Sequence, residues 1–188
     1  MGTRLVAEFC LRNNIRLTHI STLSVLHANG LHSSYITSKK EAEAYITRLT
    51  GQRLQAQIIR LGILAPRSTD GLFQRNADQS LFFSLLRLFG QLRAYPASIA
   101  HITPDVMPVD QAASAITGHA LHPNTCNICI NLTQPTPWKS LLAQATEMAD
   151  NRFFELLCQY NDTPFATLLS IDRNTICRIL QSYINNLR

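Results

Sequence analysis

The sequence predicts an α/β fold: a parallel sheet whose strands are joined by helical crossovers, with a smaller and mostly helical part after it. Three observations predict this. Helical and strand-like periodicities alternate through the first 64 residues, a Pro/Ser/Thr/Gly-rich loop from Ala65 to Gly71 breaks the alternation, and helical patterning dominates beyond it. Of the 188 residues 46% are hydrophobic and 15% charged, enough apolar material for one domain or a domain and a half and too little charge for a disordered chain.

The elements follow in order. Gly2 to Asn13 is patterned as an amphipathic helix, with Leu5, Val6, Phe9 and Cys10 on one side, and Asn13-Asn14 ends it. Arg16 to Ser21 reads as a strand running into Thr22-Leu23-Ser24-Val25. A looser stretch leads to a second helix, Ser34 to Leu49, with Gly51 just past its end. Gln55 to Leu61 is a strand closed by Gly62. Helix, strand, helix, strand is the order of a parallel sheet with crossovers. After the loop come an apolar helix (Gln79 to Gly90), a short strand (Asp105 to Val109), a helix (Asp110 to Leu121) and a strand (Thr125 to Leu132). Pro135-Thr136-Pro137 introduces a helix from Trp138 to Met148, and the tail Asn151 to Arg188 reads as two or three short helices.

Composition excludes several functions. The net charge is +5, but no Lys/Arg run exceeds the pair Lys39-Lys40, so nucleic acid is not an expected partner and a phosphate-bearing ligand fits better. Five scattered cysteines fit a reducing cytoplasm rather than a disulfide framework. Cys126 and Cys129 form a C-x-x-C, but on a strand they face opposite sides, so no metal site is expected. Arg4, Glu8 and Arg12 interrupt the first apolar residues, which rules out a membrane span there. His119 and His122 read as helix-end surface residues, and Trp138 as packing. Phe82, Phe83, Leu85, Leu86 and Phe89 suit an acyl channel or a core, and are read as core.

Chemistry concentrates in Tyr35-Ile36-Thr37-Ser38-Lys39, a Y-x-x-x-K on a helix. A spacing of four puts phenol and ammonium on one face, a turn apart. A free tyrosine has a pKa of about 10, and a neighbouring cation favours its phenolate, bringing the group toward proton transfer at neutral pH. Ser21, Thr22 and Ser24 end the preceding strand, where open α/β sheets bind ligands. They serve equally well as loop caps. No G-x-G-x-x-G or G-x-x-G-x-x-G occurs among the seven dispersed glycines, so the turn that cradles a dinucleotide pyrophosphate is missing.

An ordered set of segments carries a resemblance. His19 to Val25 (HISTLSV), then Tyr35, Ser38, Lys39, Ala42 and Glu43 (Y-x-x-S-K-x-x-A-E), then Ile58 to Leu64 (IIRLGIL) resemble the extended short-chain dehydrogenase/reductases. Within that superfamily, Gly71 to Asn76 (GLFQRN), Pro104 to Ala113 (PDVMPVDQAA), Asn127 to Leu132 (NICINL) and Gly2-Thr3-Arg4-Leu5-Val6 resemble the thioester reductase domains that end nonribosomal peptide synthetases and occur in carboxylic acid reductases. The resemblance implies the C-terminal part of a Rossmann-like domain, residues 1–64, with its Gly-rich half absent. It implies a substrate-binding subdomain, 65–188, from which 105–121 returns to the Rossmann part. Its cofactor would be NADPH, held by Tyr35, Lys39, Gly62 and Ile63. Thr22, Tyr35 and Lys39 would be catalytic, and Ser24, Gln74 and Asn76 would meet the substrate, an acyl or peptidyl thioester on a phosphopantetheinyl carrier protein. The partners implied are that carrier and the upstream half of the domain. Leu61-Gly62 stands where many relatives have a proline, and the tail after Met148 matches nothing in the family. Two other readings stay open: an epimerase or dehydratase acting on a nucleotide sugar, and a non-catalytic remnant.

Overall fold

The computed structural model describes residues 2–26, 34–74, 80–122 and 128–159. In chain order the elements are α1 (Gly2–Arg12), β1 (Leu17–Thr22), α2 (Ser34–Thr50), β2 (Ala56–Leu61), β3 (Ile63–Ala65), α3 (Leu81–Leu92), β4 (Ala94–Pro96), β5 (Val106–Pro108), α4 (Val109–Leu121), β6 (Cys129–Leu132), α5 (Trp138–Leu141), β7 (Thr146–Met148) and α6 (Asp150–Gln159). Short 3-10 turns cover Leu23–Leu26 and Ala97–Ile99. Two compact units result. One joins Met1–Gly71 to Val106–Gln134, and the other joins Leu72–Asp105 to Pro135–Arg188.

The first unit is a parallel sheet in the order β1-β2-β6, with helices on both faces. Its register runs from Leu17↔Ala56 to Thr22↔Leu61 and from Ile58↔Cys129 to Leu61↔Leu132. Strands buried on both faces cannot alternate apolar with polar, which explains the Ile58-Ile59 pair, both fully buried. Ile58 belongs to a cluster with Ala7 and Cys10 of α1 and Ile46 and Leu49 of α2. Ile59 and Leu61 point the other way, onto Ala112 and Ile116 of α4. Buried Gln57 donates to Thr18 Oγ1 and to the His119 carbonyl, each at 2.9 Å, and so ties the last turn of α4 to the sheet. A second parallel pair, β3 with β5, continues beyond Gly62. Asn14 ends α1 in the left-handed region (φ 53°), where Asn is tolerated better than most residues.

The second unit packs α3 around an aromatic cluster. Phe82 and Phe89 lie with ring centroids 5.8 Å from Trp138, and Phe89 lies 5.6 Å from Phe153. Phe82, Leu85, Leu88 and Phe89 are buried, so this face of α3 is core. A short parallel pair, β4 with β7, completes the unit.

Several elements differ from the sequence expectation. The helix expected over Trp138 to Met148 stops at Leu141, because the chain turns at Leu142 and Ala145 and then pairs Thr146–Met148 with β4. Neither β4 nor β3 was expected. The apolar residues of α1 also divide: Ala7 and Cys10 are buried, while Leu5, Val6 and Phe9 remain more than half exposed. The first unit retains 65–71 and extends from Val106 through β6. Cys126 and the tail beyond Gln159 lie outside the described residues. No described helix is long and apolar enough to cross a membrane.

Candidate functional site

The carboxyl ends of β1 and β2 and the first turns of α2 bring together most of the residues singled out above. Thr22 closes β1 opposite Leu61. Its Oγ1 lies 3.2 Å from Ser24 Oγ and accepts the Ser24 amide at 3.2 Å, so the chain's turn into the 3-10 segment fixes the hydroxyl. Leu23, buried between them, anchors that turn. Gly62 follows β2 directly and Ile63 opens β3, both half-buried at the same end of the sheet.

Tyr35 and Lys39 stand one turn apart at the start of α2. The ammonium lies 5.8 Å from the phenol ring centroid and donates to the Ile20 carbonyl of β1 at 3.1 Å. Ser38 Oγ donates back to the Tyr35 carbonyl at 2.7 Å, as helical hydroxyls do. Lys39 is half-buried, whereas Tyr35 is 56% exposed. The phenol therefore faces open space while the ammonium is tethered to the strand.

Beneath them lies a polar group to which the sequence assigned no role. Glu43, one turn below Lys39, meets Arg60 of β2 in a bidentate pair: Nε to Oε1 at 3.0 Å, and Nη2 to Oε2 at 2.6 Å. Both side chains are mostly buried, at 10% and 16% exposure. Arg60 Nη1 reaches Asn131 Oδ1 of β6 at 3.4 Å. Burial raises the Glu43 carboxyl, but the bonds and charge of Arg60 and the nearby Ser21 hydroxyl outweigh it and hold the group below the ordinary carboxylate range. Ser21 Oγ is buried without a well-formed bond of its own, so its influence is one of proximity. Removing either member of such a pair strands a buried charge, at about 3–5 kcal/mol. His19 sits on the same face with Nε2 buried and unpartnered among the described residues. Burial and the Lys39 charge lower its pKa against the opposing pull of Glu43. The signal for this group was present in the sequence as an Arg inside the otherwise apolar run Ile58 to Leu64 and an acid four residues after Lys39.

The remaining expected residues lie elsewhere. Gln74 is exposed in the second unit, ahead of α3. Asn76 lies outside the described residues. Cys129 is a half-buried free thiol, and among the described residues no three His, Cys, Asp or Glu gather as a metal site does.

These residues suit one end of a nicotinamide dinucleotide. Lys39 keeps ammonium hydrogens beyond the one given to Ile20, and Gly62 and Ile63 edge the same sheet end. For the pyrophosphate end, the 188 residues contain no Gly-rich turn.

Residues 26–116 match the NAD-binding family described as male sterility protein. Among solved structures, the chain superposes on the aureusimine biosynthetic cluster reductase domain with a TM-score of 0.76 and 25% identity, over 97% of this chain and 58% of that one. The chain resembles a thioester reductase domain of the extended short-chain dehydrogenase/reductase superfamily. It has the same fold as the thiolation-reductase di-domain of an archaeal non-ribosomal peptide synthetase (TM-score 0.76, 20% identity, 99% of this chain and 51% of that one). It also has the fold of the terminal R domain of the myxalamid PKS-NRPS pathway (TM-score 0.70, 21% identity, 96% and 49%). The chain thus spans about half to three-fifths of the structures that it matches. No curated protein matches it.

Proposed function

We propose that the chain is the catalytic and substrate-side portion of an NADPH-dependent oxidoreductase that reduces a thioester on a carrier protein. The observation that carries this reading is that Lys39, one turn after Tyr35 on α2, donates to the Ile20 carbonyl, two residues before Thr22 at the carboxyl end of a parallel strand. The bound dinucleotide supplies the hydride. Thr22 and Tyr35 donate hydrogen bonds to the carbonyl oxygen as it gains negative charge. Tyr35 then gives its proton to that oxygen, and Lys39 holds the cofactor ribose. Collapse of the resulting hemithioacetal breaks the C–S bond and yields an aldehyde and the free thiol of the phosphopantetheine arm; a second round gives an alcohol. Ser24, and by the resemblance alone Gln74 and Asn76, are proposed as substrate-binding residues.

The carrier protein is proposed as a partner because one structural relative is a thiolation-reductase di-domain. The upstream half is proposed as the second partner. The outer edge of β1 has no strand beside it among the described residues, and Leu5, Val6 and Phe9 leave an apolar stripe on α1. A parallel strand with its helix would cover both. Without that half the chain has no pyrophosphate cradle and is expected to be inactive. A cytoplasmic location suits the free thiols Cys10 and Cys129.

The test is hydride consumption by the complete domain with an acyl-loaded carrier protein. Tyr35→Phe should lower kcat by about 10²–10⁴-fold without altering the fold, because the ring is 56% exposed. A rate within about threefold of the parent would overturn the assignment of the acid. Turnover of nucleotide sugars but not thioesters would overturn the substrate.

A further inference from the structure

Tyr35 depends on its helix for its position. Exposed at the second residue of α2, it has little packing of its own. What fixes α2 beneath it acts at two levels. Lys39 holds β1 through the Ile20 carbonyl at 3.1 Å. One turn lower, Glu43 holds β2 through three contacts of 2.6–3.2 Å with Arg60. The strand register adds a third link, since Ser21, Arg60 and Asn131 lie in one row across β1, β2 and β6. That row is next to the one holding Thr22, Leu61 and Leu132. A shift of α2 along its axis would therefore have to break the bidentate pair and the Lys39–Ile20 bond before it could move Tyr35 relative to the strands.

We infer that Glu43 and Arg60 are positioning residues for the Tyr35–Lys39 pair, and that their ion pair locks the height of α2 on the sheet at the level of Thr22. The inference rests on the reading of Tyr35 and Lys39 given above. The apolar side of α2 does not set that height as strictly. Ile46 and Leu49 anchor only the lower half, through apolar burial that is not directional. A planar guanidinium gripping both carboxylate oxygens fixes direction as well as distance.

Two measurements test this. In the chain itself, Glu43→Gln should speed amide hydrogen exchange over Ser38–Glu43 by about tenfold or more, while Ile46–Thr50, anchored in the core, stays within about twofold. Uniform acceleration along α2, or none, would overturn the inference. In the complete domain, Glu43→Gln and Arg60→Lys should each lower kcat by about tenfold or more with KM for the thioester within about threefold. The double variant Glu43→Leu/Arg60→Met removes both charges, so thermal stability should recover while kcat stays low. Recovery of kcat together with stability would reduce the pair to a structural role and overturn the proposal. Failure of the underlying reading has a separate signature: Tyr35→Phe would then keep full activity whatever the exchange pattern.

Discussion

Replacing Leu5, Val6 and Phe9 together by Gln should leave the chain alone as stable as before and markedly destabilise the complete domain. These side chains are 62%, 52% and 58% exposed. At 100° per residue they share the side of α1 turned away from Glu8 and Arg4, which face Tyr45 of α2. Full burial of such a side chain stabilises by about 1.5–3 kcal/mol. With a little over half of each still exposed, the three together have about 2.5–5 kcal/mol left to gain against a covering element. Gln is a good helix former, so α1 itself should survive the change. Urea unfolding of both forms is the assay. The expected result is a change within about 0.5 kcal/mol for the chain alone, as for other surface substitutions, and the full loss for the complete domain. Equal losses in both would mean that the stripe is already packed, and no loss in either would mean that nothing covers it; both outcomes refute the reasoning.

Two further outcomes are expected. Titration of the chain alone with NADPH should show no binding, since it lacks the Gly-rich turn; a micromolar dissociation constant would contradict the proposed division of labour between the halves. Stability should also fall on acidification in two stages. The folded state disfavours protonated His19, so the unfolded chain takes up its proton first as the pH drops below about 6.5. Glu43 is ionised more readily when folded, so its contribution holds above its ordinary value of 4.5 and is lost as the pH falls through its lowered one. Unfolding midpoints from about pH 8 to about pH 2 for His19→Gln and Glu43→Gln should lose the upper and the lower stage respectively.

The legible parts of the sequence were those in which local pattern and tertiary role agree. The α2 helix begins at Ser34 as its periodicity demands, and β2 is the apolar run that ends at Leu61. Helix α1 was recognisable as a helix, but its inward side was not. Periodicity finds an apolar stripe without saying which neighbour covers it, and here the small residues Ala7 and Cys10 allow the close approach. The pairs β3–β5 and β4–β7 are three residues long and join positions some forty to fifty residues apart, a length at which strand patterning carries almost no signal. At the site, Tyr35, Lys39 and Thr22 stood out by spacing. Arg60 was visible as a charge in an apolar run and Glu43 as an acid one turn after Lys39, but only the packing of α2 on the sheet makes them partners.

The interruption of the first unit by the second has a consequence for biosynthesis. β6, the neighbour of β2, is made about 70 residues after it. At ribosomal rates of about 5–20 residues per second this leaves the β2 edge unpaired for roughly 3–14 s. During that interval Ile58 and Ile59 belong to an exposed template for strand addition, and a nascent polypeptide with such an edge is a natural client for chaperones. A circular permutant that opens ahead of β6, so that Cys129–Leu132 is made before β2, should therefore raise the soluble yield without altering the finished sheet.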